Sequence, residues 1–298
     1  MNVERLRRSL LLVPASDARR MSAAATSEAD GLMLDLEDTV THGAKPLALD
    51  NAVAALSRRD FGQKELVVRI NALATTQGRR DLEVIAAARP HAVCLPKIGA
   101  VADLLRADRA VAEIEATHRL EPGAIRLYVM IGTASGVSHA ADIARSSPRL
   151  DALLYDGGDY LREAQAVPST ERSEQLYAMT KTLLAARAAF LDALDGPALD
   201  PTEAAVEHEA RQARAIGYSG KTVVDPRHVA AVHRVFTPSP DEVERALRLI
   251  QAYHDAEAGG VGVLEVDGHF VDAARVRIAR RVVRQAELAG ALRLGSRA

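Results

Sequence analysis

Eight short apolar runs, each followed by sequence with helical spacing, constrain this chain's fold more than any other feature. They cover residues 9–13, 31–35, 65–70, 92–95, 126–131, 152–155, 197–200 and 220–224. Between them lie Ala-, Leu- and Arg-rich stretches such as 102–117 and 173–194, apolar at three- and four-residue intervals. Strands that alternate with helices pair in parallel through right-handed crossovers. Eight such units predict a (β/α)8 TIM barrel, in which active groups sit at the C-terminal ends of the strands. The seventh strand is the least constrained, because Gly196 and Pro197 equally suit a turn.

The strand ends are polar. They read Pro14, Asp35/Glu37/Asp38, Arg69/Asn71, Pro96/Lys97, Gly132/Thr133, Asp156/Asp159, Asp200 and Asp225. The second run ends Leu34-Asp35-Leu36-Glu37-Asp38, three acids within four residues. An apolar core cannot hold that much charge without partners. This end is therefore expected to open onto water, a cation or a substrate.

A hydrophobic content of 48% supports a substantial core, but aromatics are 3% and Trp is absent, so Leu, Val, Ile and Ala must build it. The net charge of −2 gives no electrostatic reason to expect nucleic acid or an anionic membrane. Arg275, Arg277, Arg280, Arg281 and Arg284 read as one charged helix face. Cys94 is the only cysteine, which excludes an internal disulfide, and its apolar run makes it a core residue. No run of about 18 apolar residues occurs, and no signal-peptide core precedes the first strand. The cytoplasm is the expected location.

A break at Phe236-Thr237-Pro238-Ser239-Pro240 divides the chain into a barrel over 1–236 and a tail over 237–298. The tail reads as a helix to about Glu257, a stop at Gly259-Gly260, a small hairpin over 261–266 with Asp267-Gly268, and a last helix from near Asp272. Too small for an independent core, it is expected to pack on a barrel, its own or a neighbour's.

Several short motifs recur in a telling order. They are Leu12-Val13-Pro14, Leu34-Asp35-Leu36-Glu37-Asp38, Val68-Arg69-Ile70-Asn71, Leu95-Pro96-Lys97, Thr133-Ala134-Ser135-Gly136-Val137, Gly220-Lys221, Val235-Phe236-Thr237-Pro238-Ser239-Pro240 and Val271-Asp272-Ala273. Their order and spacing over nearly the whole chain resemble the citrate lyase β-subunit-like branch of the HpcH/HpaI aldolase/citrate lyase superfamily. That resemblance implies a TIM barrel, a homotrimer, and a tail that reaches over a neighbour's active site. It also implies cleavage or formation of a carbon–carbon bond in 3-hydroxyacyl thioesters such as citryl-, malyl- or citramalyl-CoA, yielding acetyl-CoA and a 2-oxo acid. Such chemistry removes a hydroxyl proton and stabilises a developing enolate oxygen, work that Mg²⁺ assists as a Lewis acid.

The resemblance assigns Arg69 to the substrate, as a bidentate fork for a carboxylate or thioester oxygen. An ion pair with Asp35 or Glu37 is the structural alternative. Glu37 and Asp38 match the family's acidic pair, which orients the arginine, waters or lysines. Lys97, Gly132 and Thr133 match substrate-contacting positions. Asp272 matches the tail acid, a proton donor or acceptor, and equally suits an N-cap for the last helix. Asp159 matches one of two Mg²⁺ ligands.

The departures are as specific. The family's other metal-ligating glutamate, in Ile-Glu-Thr-Ala, is here Ile131-Gly132-Thr133-Ala134. Gly158 and Gly99 stand where glutamates are usual, Asp225-Pro226-Arg227 replaces His-Pro-Arg/Gln, and Ala15 replaces a glycine. Asp156, where a small residue is common, is the expected substitute ligand beside Asp159. A glutamate restored at position 132 is expected to raise metal affinity if the site is degenerate, and to do little where Asp156 already substitutes. Two other readings remain, a metal-independent accessory or binding subunit and an aldolase on free 2-oxo acids. The motifs do not follow Walker spacing, and His208, His228 and His233 lack a paired metal-ligand spacing.

Overall fold

The computed structural model describes residues 5–58, 61–62, 64–260 and 262–292. Its strands are β1 (Ser9–Pro14), β2 (Gly31–Asp35), β3 (Glu65–Arg69), β4 (Ala92–Leu95), β5 (Arg126–Ile131), β6 (Leu150–Tyr155), β7 (Asp192–Asp195) and β8 (Gly220–Val223). All pair in parallel with their sequence neighbours, and β8 returns to β1, closing an eight-stranded TIM barrel. Helices α1 (Ala18–Ala25), α2 (Lys45–Arg58), α3 (Thr76–Ala87), α4 (Val101–Thr117), α5 (Ala134–Ser138), α6 (Ala140–Arg145), α7 (Gly157–Ala164), α8 (Leu176–Ala188) and α9 (Glu203–Ile216) form the connections.

Strand alternation sends every second residue inward. Leu10, Leu12, Met33, Val67, Cys94, Tyr128, Met130, Leu154 and Leu194 fill the barrel. The same parity carries Asp35, Arg69, Gly132, Asp156 and Gly196 to the C-terminal mouth. Arg7 closes the opposite end, bonding Glu65 at 2.8 Å, Asp192 at 2.8 Å and Asp151 at 3.0 Å. Cys94 is fully buried, and burial pushes its thiol well above the usual range, as a core residue requires.

The seventh strand is a correction. It runs over Asp192–Asp195, not 197–200, and Asp200 lies beyond it in a loop where it accepts from the Thr202 amide. The two acids conceal the strand in the sequence, because their partners come from elsewhere. Asp195 is fully buried against Lys221 at 2.7 Å and Arg172 at 2.8 Å. Lys221, also fully buried, further donates to Gly196 O and to Glu209 of α9. Register places Asp195 beside Lys221, so both face the helix layer rather than the barrel interior.

The described residues divide into two compact units, Arg7–His233 and a second comprising residues 234–292 together with residues 5–6. Helix α10 (Val229–Phe236) runs across the division. The second unit holds α11 (Pro240–Ala258), a hairpin of β9 (Leu264–Val266) and β10 (His269–Val271), and α12 (Ala273–Leu288). Ser239 and Glu242 cap α11 reciprocally. Asp267 and Gly268 turn the hairpin at φ 50° and 75°, the pair of positive values a tight primed turn needs. Ala246, Ala279 and Val283 pack α11 on α12. Val261, read as part of the hairpin, lies outside the described residues. Among the described residues no helix is long and apolar enough to cross a membrane.

Candidate active site

Asp35 and Arg69 end adjacent strands in direct register. Arg69 Nε and Nη2 donate to the two oxygens of Asp35 at 2.6 and 2.7 Å. The Asp35 carboxylate also accepts from the Glu37 amide, the Thr39 amide and Thr39 Oγ1. Burial opposes its charge, but the Arg69 bonds and these donors outweigh it and hold its pKa below the usual carboxylate range. Asp35 therefore takes the arginine's fork, the ion pair that the sequence offers as the alternative to a substrate contact. One arm remains. Nη1 meets Met130 Sδ at 3.8 Å and Glu37 Oε2 at 3.5 Å, neither a full hydrogen bond to oxygen.

Glu37 lies between two cations. Lys97 Nζ reaches Glu37 Oε1 at 2.5 Å and Asp38 Oδ1 at 3.3 Å. Lys97 adopts a left-handed backbone, φ 55°, at the end of β4, a strained conformation that aims its amine across the mouth. Burial pushes the Glu37 carboxyl up, against the pull of Arg69 and Lys97. Lys45, which sequence reasoning did not single out, donates to Leu36 O and Glu37 O at 2.7 and 2.6 Å. Asn71 Nδ2 adds a bond to Leu36 O. Together they fix the loop that carries both acids.

Across the mouth, Asp156 ends β6 as the N-cap of α7, its Oδ1 accepting from the Asp159 amide at 3.1 Å. Asp159 Oδ1 pairs with the exposed Arg162 at 2.7 Å. Burial, and then the neighbouring Asp159 charge, push Asp156 up despite that amide bond. A cavity of about 350 Å³ separates these acids from Arg69. Its floor is apolar, formed by Leu12, Met33, Met130 and Leu154, with Thr222 among them.

Asp156 and Asp159 are the pair that could hold a divalent cation. Each uses Oδ1 locally, which leaves a hard oxygen on each that bonds no described residue. That suits Mg²⁺, which takes one or two carboxylates and keeps several waters. Among the described residues no group of three or more His, Cys, Asp or Glu side chains is placed to enclose a metal. Of the other sequence-derived candidates, Thr133 uses its hydroxyl to cap α5 through the Gly136 amide, and Gly132 is buried beneath Asp156. Asp272 caps α12, accepting from the Arg275 amide at 2.9 Å, and that bond lowers its pKa.

The family model for HpcH/HpaI aldolase/citrate lyase matches residues 8–226, most of the chain. The chain belongs to this family. It is 34% identical to citrate lyase subunit beta of Escherichia coli, over 96% of this chain and 95% of that one. It is 35% identical to (3S)-malyl-CoA thioesterase of Cereibacter sphaeroides, over 96% of each. A solved structure of CitE from Mycobacterium tuberculosis, in complex with magnesium, acetoacetate and coenzyme A, superposes with a TM-score of 0.73. That match has 27% identity and covers 94% of this chain and 98% of the other. These relatives place the chain in the citrate lyase β, or CitE-like, branch of the HpcH/HpaI family.

At Gly132 the folded mouth leaves no room for a side chain. A Cβ placed on it would lie 2.7 Å from Asp156 Cβ, 2.8 Å from Asp156 O and 2.8 Å from Asp159 Cβ. The start of α7 has settled into the space that a larger residue would need. The expectation that a glutamate restored at 132 raises metal affinity therefore does not suit this packing. Gly132→Ala should already cost about 1–3 kcal/mol through overpacking. Gly132→Glu should weaken Mg²⁺ binding by displacing both acids, which thermal unfolding and a metal titration would read together.

Proposed function

We propose that the chain is a carbon–carbon lyase that cleaves a 3-hydroxyacyl-CoA-type thioester of the citryl, malyl or citramalyl kind into acetyl-CoA and a 2-oxo acid, or forms it from them. The observation that carries this reading is a small, partly apolar cavity lined by Asp156, Asp159 and Arg69, whose Nη1 arm meets Met130 Sδ at 3.8 Å and Glu37 Oε2 at 3.5 Å. A donor on one wall and acids on the other suit a hydroxy acid whose carbon–carbon bond lies between them. In cleavage, the C3 hydroxyl loses its proton, its oxygen becomes the carbonyl of the oxo acid, and the bond electrons pass to the thioester enolate. A proton then reaches the enolate carbon, giving acetyl-CoA.

Arg69 Nη1 orients an anionic oxygen, and Glu37 and Lys97, held to each other, set the charge at the rim. Mg²⁺, held by Asp156 and Asp159, would polarise the oxygens of the hydroxy acid. Asp272 is proposed as the tail's contribution. Its capping bond from the Arg275 amide favours the carboxylate form, which suits proton acceptance over donation. Relatives named for citrate lyase and for CitE with magnesium and coenzyme A support this assignment. The reading includes a cytoplasmic homotrimer.

The test combines ligand linkage with product analysis. Mg²⁺ with oxaloacetate should raise the melting temperature beyond either alone, and malyl- or citramalyl-CoA should yield acetyl-CoA. Release of free CoA without acetyl-CoA would point to hydrolysis, the activity named for the Cereibacter relative. Absence of any shift at millimolar metal, with no turnover, would favour an accessory subunit.

A further inference from the structure

Among the apolar side chains at the floor of the mouth cavity stands one polar residue, Thr222. Thr222 of β8 stands in register with Leu10 of β1, and Leu10 belongs to the barrel interior, so Thr222 faces inward. Its neighbour Lys221 faces the helix layer, as strand alternation demands. Thr222 is 2% exposed, and its Oγ1 is buried with no hydrogen-bond partner in the protein. It lines the same cavity as Arg69, Met130 and Asp156. Of the four buried side-chain polar atoms without partners among the described residues, only this one belongs to a residue lining that cavity.

An unpaired buried hydroxyl is a stability cost, and valine would fill the same β-branched space without it. We propose that Thr222 is a specificity-determining residue, its hydroxyl hydrogen-bonding an oxygen at the buried end of a short 2-oxo acid. The inference rests on the lyase reading, in which a 2-oxo acid is substrate or product. A threonine hydroxyl rotates freely and donates to a keto or carboxylate oxygen alike. The proposed ligand then meets two separate donors, Arg69 Nη1 and, buried just beneath the floor, Thr222 Oγ1, with apolar side chains between. A ligand with oxygens at both ends satisfies both. One with an apolar end leaves the hydroxyl unpaired, which is how a hydrogen-bonding site rejects analogues.

The experiment compares the full-length wild type, Thr222→Val and Thr222→Ser, titrated calorimetrically with oxaloacetate in the presence of Mg²⁺. Each protein is also unfolded in urea without ligand. Thr222→Val should raise the Kd for oxaloacetate roughly tenfold while leaving stability equal or higher. Thr222→Ser should bind within about threefold of wild type, since it keeps the donor. If Thr222→Val binds like a wild type that itself binds oxaloacetate, the inference fails and the lyase reading stands. A loss of stability in Thr222→Val without a loss of binding would show the hydroxyl bonded within the protein, and also overturns it. A wild type that binds no oxaloacetate removes both.

Discussion

Lys221→Met is expected to lower the stability of the barrel by about 3–5 kcal/mol, the range for breaking a buried ion pair from one side. Lys221 is fully buried, and its amine holds Asp195 at 2.7 Å, Gly196 O at 2.7 Å and Glu209 at 2.8 Å. Removing it leaves Arg172, among the described residues, to face both carboxylates, Asp195 and Glu209. The consequence extends to the mouth, because Gly196 O, which Lys221 fixes, belongs to a residue lining the cavity. Urea unfolding at pH 7 should show the loss as a lower midpoint. Lys221→Met/Asp195→Leu should recover part of it, since the uncompensated charge is removed with its partner. If the double variant is no more stable than the single one, the cost lies in packing and not in charge.

Much of this architecture is local and therefore legible in the sequence. Strands β2, β4 and β5 are apolar runs with clear ends, and their observed limits coincide with those expected. The motif Leu34–Asp38 announces a polar mouth because three acids cannot be buried unpaired. β7 was hidden for the opposite reason. Its acids look like loop residues until Lys221 and Arg172, distant in sequence, neutralise Asp195. Nor does sequence decide how Arg69 divides its donors, since that depends on Asp35 lying directly beside it on β2. Gly132 is visible as a missing carboxylate, but the packing of Asp156 and Asp159 into its space is a property of the folded mouth. Thr222 carries only one signal, its inward parity with Leu10, and a threonine in a strand is otherwise unremarked.

Arg69→Met should remove activity and stability together, and the two losses can be separated. The substitution withdraws the Nη1 arm from the cavity and the fork from Asp35, which is 0% exposed. Turnover should fall by roughly three orders of magnitude, the scale of losing an electrostatic contact to reacting oxygens. Stability at pH 7 should fall by about 3–5 kcal/mol, because Asp35 becomes a buried charge without a cation. The sign with pH follows from Asp35. In the wild type its folded pKa lies below the unfolded value of about 3.9, so its stabilisation is present above that value and is lost as pH falls through the folded pKa. In Arg69→Met the Thr39 and Glu37 donors remain but the arginine's pull is lost, so burial, the largest influence on Asp35, raises the folded pKa and stability declines as pH rises from about 4. The gap between the two proteins should be widest near pH 7 and narrow as pH falls below the raised pKa. Urea midpoints measured at pH 7, 5 and 4 would check this, and a gap independent of pH would mean that Asp35 is not what Arg69 neutralises. Arg69→Met/Asp35→Asn should then regain stability at pH 7 without regaining turnover. That outcome would separate the arm that faces the substrate from the fork that holds the barrel mouth in place.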